Sequence, residues 1–584
     1  MNTRPATRTL VVHILLVIAI SWVIYLNALD NDFTNWDDPD TVIHNAAIRS
    51  LSGSAVSQIL TPDEAGTSGI PGVYRPVWTL SYAWDYFVGE LNPAFYHAHS
   101  VLLHSLNSAL VYLLSLALGL ATLPALVTAL LFAVHPIHVE AVTWVSGRNE
   151  LLMTLFFLIA FLLAAFRARL GNGIRPGAYI LSIVVLAFAL LSKATAAVFP
   201  LLLAVTYLWF LGPDREGRRN PRLWLLRHVP YLILSAVLVW AELWVSRAGV
   251  VVRPEEAESR WITLLTVPKL ILTYLGSLLI PLGLAPRYDV SYVMGFSEEV
   301  GMTILGLAVI VALAVWMGRR FRTFGFASWW FALTLLPASN IVLLTSLRAD
   351  RFLYLPSVGF CLAAGVLLHH TWGPEKSGRR AGKIIAVLLC GTLVFFSVVT
   401  LGQNQVWQNS ISLWEKTTAR SPGDYMAHHN LGSAYFEAGR MNEAAAALET
   451  SVALNPEFAK AHNNLGRVYA ALGREENAER HLRWAIDLQP DYASAFANLG
   501  VLYAQQKRYP EASRSLKHAI RLDPGRAERH LNLAQIYVQT GKLDEAEQEI
   551  RAAIDAGLAP EWEQRARELL ESISERQRDM VEWP

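Results

Sequence analysis

From Leu10 to Leu401 the chain repeats one pattern, apolar runs long enough or nearly long enough to span a bilayer, parted by short polar loops. The runs lie at about 10–27, 97–119, 121–135, 150–166, 178–192, 196–211, 229–246, 303–317, 326–345, 354–371 and 383–402. A further run, about 262–283, carries Pro268 and Pro281. The first run follows Arg4 and Arg8 with no small-residue cleavage site after it, so it reads as a retained helix. Beyond residue 402 the continuous runs give way to amphipathic helical spacing. The pattern predicts an all-α protein, a polytopic membrane domain over 1–402 followed by a helical repeat domain.

The second half is periodic. Pro422, Pro456, Pro490 and Pro524 recur every 34 residues, the tetratricopeptide period. In phase with them come Asn430, Asn464, Asn498 and Asn532, then Leu431, Leu465, Leu499 and Leu533, and Tyr435, Tyr469, Tyr503 and Tyr537. Ala444, Ala478, Ala512 and Ala546 follow, small enough to let paired helices approach closely. This predicts four repeats over 422–558, an α-solenoid. A linker and half-repeat, 403–421, precedes them, and a capping helix and tail, 559–584, closes the stack. The four in-phase asparagines have two readings. Asn is common at this helix position, or the amides form a ladder that hydrogen-bonds the backbone of an extended peptide, since each offers a donor and an acceptor.

Composition agrees with the division. Hydrophobic residues are 53% and charged residues 17%, with the charge concentrated after residue 402. A net charge of +1 argues against a nucleic-acid partner. Cys361 and Cys390 both fall in apolar runs and imply packing, with no disulfide framework. Basic clusters at Arg167/Arg169/Arg175, Arg215/Arg218/Arg219/Arg222, Arg319/Arg320/Arg322 and Lys376/Arg379/Arg380/Lys383 place four loops on the cytoplasmic side. The crossings count correctly only if 262–283 returns to the side it left. The loop 28–96 and the repeats then share the outer compartment, a bacterial periplasm or, in a eukaryote, the lumen of the endoplasmic reticulum.

That outer loop carries the first candidate chemistry. Asp37 and Asp38 follow Trp36, and one carboxylate could take a proton from an attacking hydroxyl while its neighbour orients the acceptor or holds a divalent metal. An acidic turn capping a short helix is the plainer reading of the spacing. Arg75, His97, His135, His138, Glu140, Arg148, Lys193, Arg351 and Tyr354 fall on or near the same side. Lys193 and Arg351 are cations suited to a lipid phosphate, because charges at membrane depth are costly unless paired or wet. For Arg351 an ion pair with Asp350 is the alternative. His135 and His138 with Glu140 could bind a metal, although His-Pro-x-His is not an established ligand spacing.

The ordered set Asn-Trp-Asp-Asp (35–38), Tyr-Arg-Pro (74–76), Asn-Pro-x-x-Tyr-His (92–97), His-Pro-Ile-His-Val-Glu-Ala-Val (135–142), Ser-Gly-Arg (146–148), Leu-Leu-Pro-x-Ser-Asn (335–340) and Asp-Arg-Phe-Leu-Tyr-Leu-Pro-Ser (350–357) continues to Trp407 and Leu413-Trp414. It resembles the transmembrane and tetratricopeptide-repeat-containing proteins and their bacterial relatives. The resemblance implies a C-type glycosyltransferase fold and a protein O-mannosyltransferase-like enzyme with a polyprenyl-phosphate sugar donor, an acidic base in the first outer loop and an inverting displacement. It makes Asp37 or Asp38 the base, with Asp37 preferred, and Arg75, Arg148, Lys193 and Arg351 the donor-phosphate candidates. Two positions depart from the family. Ala194 stands where an acid usually follows Ser-Lys, and Gln403 where an Arg is frequent.

The expected function is transfer of a hexose, mannose foremost, from a polyprenyl-phosphate donor in the lipid to a Ser or Thr hydroxyl of a protein held on the repeats. The Arg-over-Lys bias points to a bacterial inner membrane with a cytoplasmic N-terminus. The competing readings are a non-enzymatic membrane-anchored scaffold and a glycosyltransferase acting on a glycolipid or polysaccharide. A transporter fits less well, for want of inverted halves.

Overall fold

The computed structural model describes residues 6–61, 68–165, 176–211, 221–246, 260–339, 346–371, 379–558 and 560–581. The described residues form helices, turns and loops with no strand. The chain divides into two compact units, Met1–Arg420 and Ser421–Pro584. The basic clusters of 167–175, 215–219 and 376 lie outside the described residues.

In the first unit seven described helices are long and apolar enough to cross a membrane: Thr7–Asp30, Pro93–Ala117, Val145–Ala165, Leu226–Val245, Trp261–Leu279, Glu298–Arg320 and Lys383–Trp407. Shorter apolar helices, Pro176–Ser192, Ala194–Phe210 and Ser357–Thr371, account for three further runs. The run expected at 121–135 is broken. Helix Thr122–Val134 ends at His135, and the chain turns by 48° into Pro136–Thr143, because Pro136 cannot donate to the preceding turn. The run expected at 326–345 is helical only over Arg322–Leu335, with a 3-10 turn at Leu336–Ala338 before residues outside the description.

Partners along the helices give the bundle two distinct ends. Phe321, following Glu298–Arg320, stacks on His370 near the end of Ser357–Thr371 at 4.2 Å. At the other end of that second helix, Ser357 Oγ lies 2.8 Å from His138 Nε2. Helix Glu298–Arg320 has Glu298 and Glu299 in its first turn and Arg319 and Arg320 in its last, charges that complement the helix dipole.

The segment near 262–283 is one continuous helix, Arg260–Leu279, enclosing Pro268. Several of its residues bond to loops and helix ends. Thr266 Oγ1 accepts from Val293 N at 3.0 Å, Lys269 pairs with Glu299 at 3.6 Å, and Ser277 Oγ accepts from Arg348 Nη2 at 3.0 Å. The Leu278 carbonyl lies 3.0 Å from His135 Nε2. Leu270, Tyr274 and Leu278 share a buried cluster with Ile137, Leu335 and Leu353.

The second unit contains the four helix pairs that the period predicts: Tyr425–Glu437 with Met441–Leu454, Ala459–Ala471 with Glu475–Leu488, Ala493–Gln505 with Tyr509–Leu522, and Ala527–Gln539 with Leu543–Asp555. Helix Pro560–Val581 follows them and packs on the fourth pair. Ala444, Ala478, Ala512 and Ala546 are fully buried between paired helices. Each tight turn needs a left-handed residue. Gly439, Gly473 and Gly541 supply it at φ 75, 72 and 77°, and the third repeat places Lys507 there at φ 60°. A side chain in this conformation costs about 1–2 kcal/mol, part of which glycine returns as backbone entropy. Lys507→Gly is therefore expected to raise the stability of the repeat unit by up to about 1 kcal/mol, read as a higher midpoint for its unfolding in the full chain. A lower midpoint would contradict this account of the turn.

Candidate active site

The acidic loop begins where helix Thr7–Tyr25 and its 3-10 extension Leu26–Asp30 end. Asp38 is 1% exposed, and its carboxylate is saturated. One oxygen accepts from the Thr34 amide and hydroxyl, both at 2.9 Å, and the other from the Ser146 amide at 3.0 Å and hydroxyl at 2.5 Å. Burial pushes the Asp38 carboxyl up, and these four bonds pull against it. The residue ties the first loop to residues 145–147. With every oxygen already engaged, it has little capacity left to take a proton from a substrate.

Asp37 is placed differently. Its backbone carbonyl accepts from the Thr41 amide at 2.9 Å and hydroxyl at 2.8 Å. Its carboxylate accepts from no side chain among the described residues and is half-buried. Burial pushes its carboxyl up to about 6, with Arg351 and Arg75 pulling down and Asp38 and Asp40 adding to the rise. Asp37 thus presents an unbonded carboxylate on an immobilised backbone.

Beside it, Trp36 stacks on Trp144 at 4.7 Å and on Trp407 at 6.3 Å, and meets Trp414 edge-on at 5.4 Å. The Arg351 guanidinium lies 5.9 Å over Trp36 and 5.3 Å over Trp144, a cation–π setting that fixes its plane.

The four basic candidates separate. Arg351 is ion-paired with Glu140, which also accepts from the Arg351 amide at 2.8 Å. The Asp350 partner considered from the sequence is instead held by Tyr288, whose hydroxyl is 2.8 and 2.7 Å from its two oxygens. Burial and the nearby Glu140 push the Asp350 carboxyl up to about 7. Lys193 is ion-paired with Glu150 and lies within electrostatic reach of Arg75 and Arg351. Glu150, from helix Arg148–Ala165, thereby supplies the acid that Ala194 does not. Arg75 pairs with Glu242 at 3.8 Å. Arg351 and Arg75 act on Asp37, and Lys193 lies within reach of both. Arg148 does not join them as the sequence led us to expect. Fully buried, it is paired with Asp85, donates to the Tyr96 carbonyl at 2.7 Å and sits 4.7 Å over the Tyr82 ring. Its work is to fasten helices, and Asp85, some sixty residues away in sequence, gave no local signal of it.

The histidines are structural as well. His97 is buried against the backbone of Asn31, Asp32 and Thr143. His135 caps the next turn, its Nδ1 accepting from the Ile137 amide at 3.2 Å. His138 lies 2.8 Å from both the Phe132 carbonyl and Ser357 Oγ. Tyr354 bonds to His104 at 2.8 Å and Asn107 at 3.2 Å. Pro136 sends the two histidines to different partners, so they do not converge with Glu140. Among the described residues no group of three or more His, Cys, Asp or Glu is arranged to hold a metal.

Sequence reasoning missed Arg287, Tyr288 and Arg348, which line an open cleft of about 160 Å³ with Arg351. Arg348 lies 3.6 Å over the Tyr288 ring. Their signal was basic and aromatic residues at the polar ends of two apolar runs.

In the repeat unit the in-phase asparagines bond mainly between neighbouring repeats. Asn464 donates to His429 and Ser433, both at 3.0 Å, and Asn498 donates to Asn463 at 2.8 Å. Asn532 accepts from Arg565 of the closing helix at 3.2 Å, and Asn430 lies 3.0 Å from His429 Nδ1. The amides therefore stitch the stack together. Asn464 and Asn532 also line separate clefts, the first with Phe436, Glu437 and Arg467, the second with Lys507, Gln535 and Arg565.

Comparison with known proteins places both units. Models described as tetratricopeptide or TPR repeats match residues 401–450, 432–473, 457–525 and 503–564. Over 535 residues the chain is 27% identical to protein O-mannosyl-transferase Tmtc1 of Drosophila melanogaster, covering 74% of this chain and 60% of that protein. The chain is a relative of the TMTC proteins. It is 26% identical to protein O-mannosyl-transferase TMTC4 of Homo sapiens over 74% of this chain and 64% of that one. A 152-residue stretch reaches 39% identity with protein O-mannosyl-transferase tmtc2 of Xenopus laevis, covering 25% of this chain and 18% of that protein. The chain thus spans less than two thirds of the length of these TMTC relatives. Among solved structures, the crystal structure of MamA aligns with 25% of this chain and 86% of its own at 25% identity and a TM-score of 0.24.

Proposed function

We propose that the protein transfers a sugar, mannose foremost, from a polyprenyl-phosphate donor to a Ser or Thr hydroxyl of a protein acceptor, at the membrane face that carries Asp37. The carrying observation is the Asp37 carboxylate, unbonded among the described residues and within electrostatic reach of Arg351 and Arg75, with Lys193 in turn within reach of those two cations. The names of its TMTC relatives support the same reaction. Asp37 takes the acceptor proton as the hydroxyl attacks the anomeric carbon, and the lipid phosphate leaves from the opposite face, inverting configuration. Arg351 and Lys193 stabilise the charge that develops on the phosphate, their carboxylate partners Glu140 and Glu150 holding them in place meanwhile. The repeats bind the acceptor chain and raise its concentration near the base.

Topology follows the same reading. With Arg260–Leu279 lying along one membrane face rather than crossing it, the N-terminus is cytoplasmic and the acidic loop and repeats are outside. In a bacterial cell that compartment is the periplasm.

Two measurements test the proposal. Glycopeptide mass spectrometry of exported proteins should show hexose lost from Ser or Thr when the gene is deleted and restored on complementation. An unchanged profile favours the scaffold. With the protein reconstituted beside polyprenyl-phosphate mannose and a Ser/Thr peptide, transfer should fall about tenfold per pH unit below about pH 6. The sign follows from the role, since a base protonated below its own pKa cannot accept. A limb near the ordinary carboxylate value would remove Asp37 from that role.

A further inference from the structure

Residues 401–414 hold the acidic loop along its length. Asn27 Nδ2 donates to the Leu401 carbonyl at 3.0 Å, and Asn31 Nδ2 to the Asn404 carbonyl at 3.3 Å. Asn404 answers with its own amide, donating to the Ile24 carbonyl at 3.0 Å and to Asn27 Oδ1 at 2.8 Å. The Asp32 amide donates to the Gln408 carbonyl at 2.9 Å, and the Asn35 amide to Ser410 Oγ at 2.8 Å. Finally Trp414 Nε1 donates to Asn35 Oδ1 at 2.5 Å, two residues before Asp37.

The two strands of contact are almost four hundred residues apart in sequence and advance in register, 27 with 401, 31 with 404, 32 with 408 and 35 with 410 and 414. Trp407 and Trp414 are buried, each at 2% exposed or less, and hold Trp36 between them and Trp144. Fold stability alone would be served by the tryptophan packing. The added hydrogen bonds fix the backbone of residues 31–36 in a single position, and Asp38 is fixed from the other side by Ser146. Between these anchors the Asp37 carboxylate makes no hydrogen bond among the described residues.

We infer that Trp414 and Asn35 are positioning residues for the base: the segment 401–414 is a latch that holds the Asp37 carboxylate at the reacting hydroxyl. The inference rests on the transferase reading for its catalytic half. A misplaced base loses rate without losing substrate affinity, because binding and proton transfer use different groups. A loosened loop also hydrates Asp37, which now faces Asp38, Asp40, Arg75 and Arg351, and a hydrated carboxylate titrates closer to its ordinary value.

The test uses the full-length protein in lipid with Trp414→Phe, which removes the N–H together with the pyrrole half of the indole, Asn35→Ala, which removes its acceptor and leaves the indole packing in place, and the double variant. Hydrogen–deuterium exchange over residues 31–38 should rise in each while exchange in the repeats stays unchanged. Transfer should lose about ten- to a hundredfold in kcat with KM for donor and peptide within about twofold. The acid limb of the pH profile should move to lower pH, which mere loss of folded protein does not cause. The double variant should lose less than the product of the two single losses, since both remove the shared Trp414–Asn35 bond. Unchanged exchange in Trp414→Phe, or lowered rate with an unmoved limb, overturns the latch. Full activity in Asp37→Asn would instead sink the base assignment, and that result is independent of the exchange measurement.

Discussion

Replacing Asp37 by Asn is expected to lower sugar transfer by about 10²–10⁴-fold, the range over which a positioned general base contributes, while the protein still inserts and folds. The second half of the expectation follows from the site itself. The Asp37 carboxylate makes no hydrogen bond among the described residues, and burial raises its pKa to about 6. A raised carboxyl means that the ionised form is disfavoured in the folded protein. The group therefore subtracts from stability as pH rises through its folded value, and a neutral amide removes that penalty. Asp37→Asn should melt at the wild-type temperature or above it at neutral pH, with rate and stability moving in opposite directions. Retained transfer would show that another group takes the proton.

Asp38→Asn should produce the reverse, a protein that is damaged in folding first. The four donors converging on Asp38 come from Thr34 and Ser146, and two of them are backbone amides that cannot reorient. An Asn side chain keeps one acceptor oxygen and turns an NH₂ group toward at least one of those amides. Stranding buried donors in this way costs about 2–5 kcal/mol, visible as a lower melting temperature in detergent and weaker protection of residues 145–147. A wild-type melting temperature would contradict the clamp described above. Adjacent in sequence, the two aspartates thus have separable consequences, and comparing activity per folded molecule distinguishes them.

Much of the architecture was legible because it is periodic or long. The bilayer imposes runs that no loop imitates, and the 34-residue phase fixed each helix pair of the repeats down to the buried alanines. The same phase put Lys507 in a glycine column. The limits lie where a partner is distant. Arg148 and Lys193 were read alike as cations at membrane depth, yet Asp85 spends the first on fastening helices while Glu150 holds the second near Asp37. Only three-dimensional packing selects those carboxylates. His135 and His138 looked convergent because three residues separate them, and Pro136 undid the helix on which that spacing would have meant one face. The asparagine column left two readings open, and in the structure Asn464 and Asn498 bond to the neighbouring repeat.

The break at His135 also bears on where the proposed chemistry would sit. Helix Thr122–Val134 has 13 residues, a rise of about 20 Å, against a hydrocarbon core of about 30 Å. The short turns that carry Glu140, and through it Arg351, follow a helix shorter than that core. On the proposed transferase reading, a helix that starts at the far face would leave the reacting centre in a basin sunk below the near one. A polyprenyl donor would then meet it sideways, with its head group scarcely lifted from the leaflet. A protein acceptor would have to descend to it as an unfolded or loosely looped stretch of polypeptide.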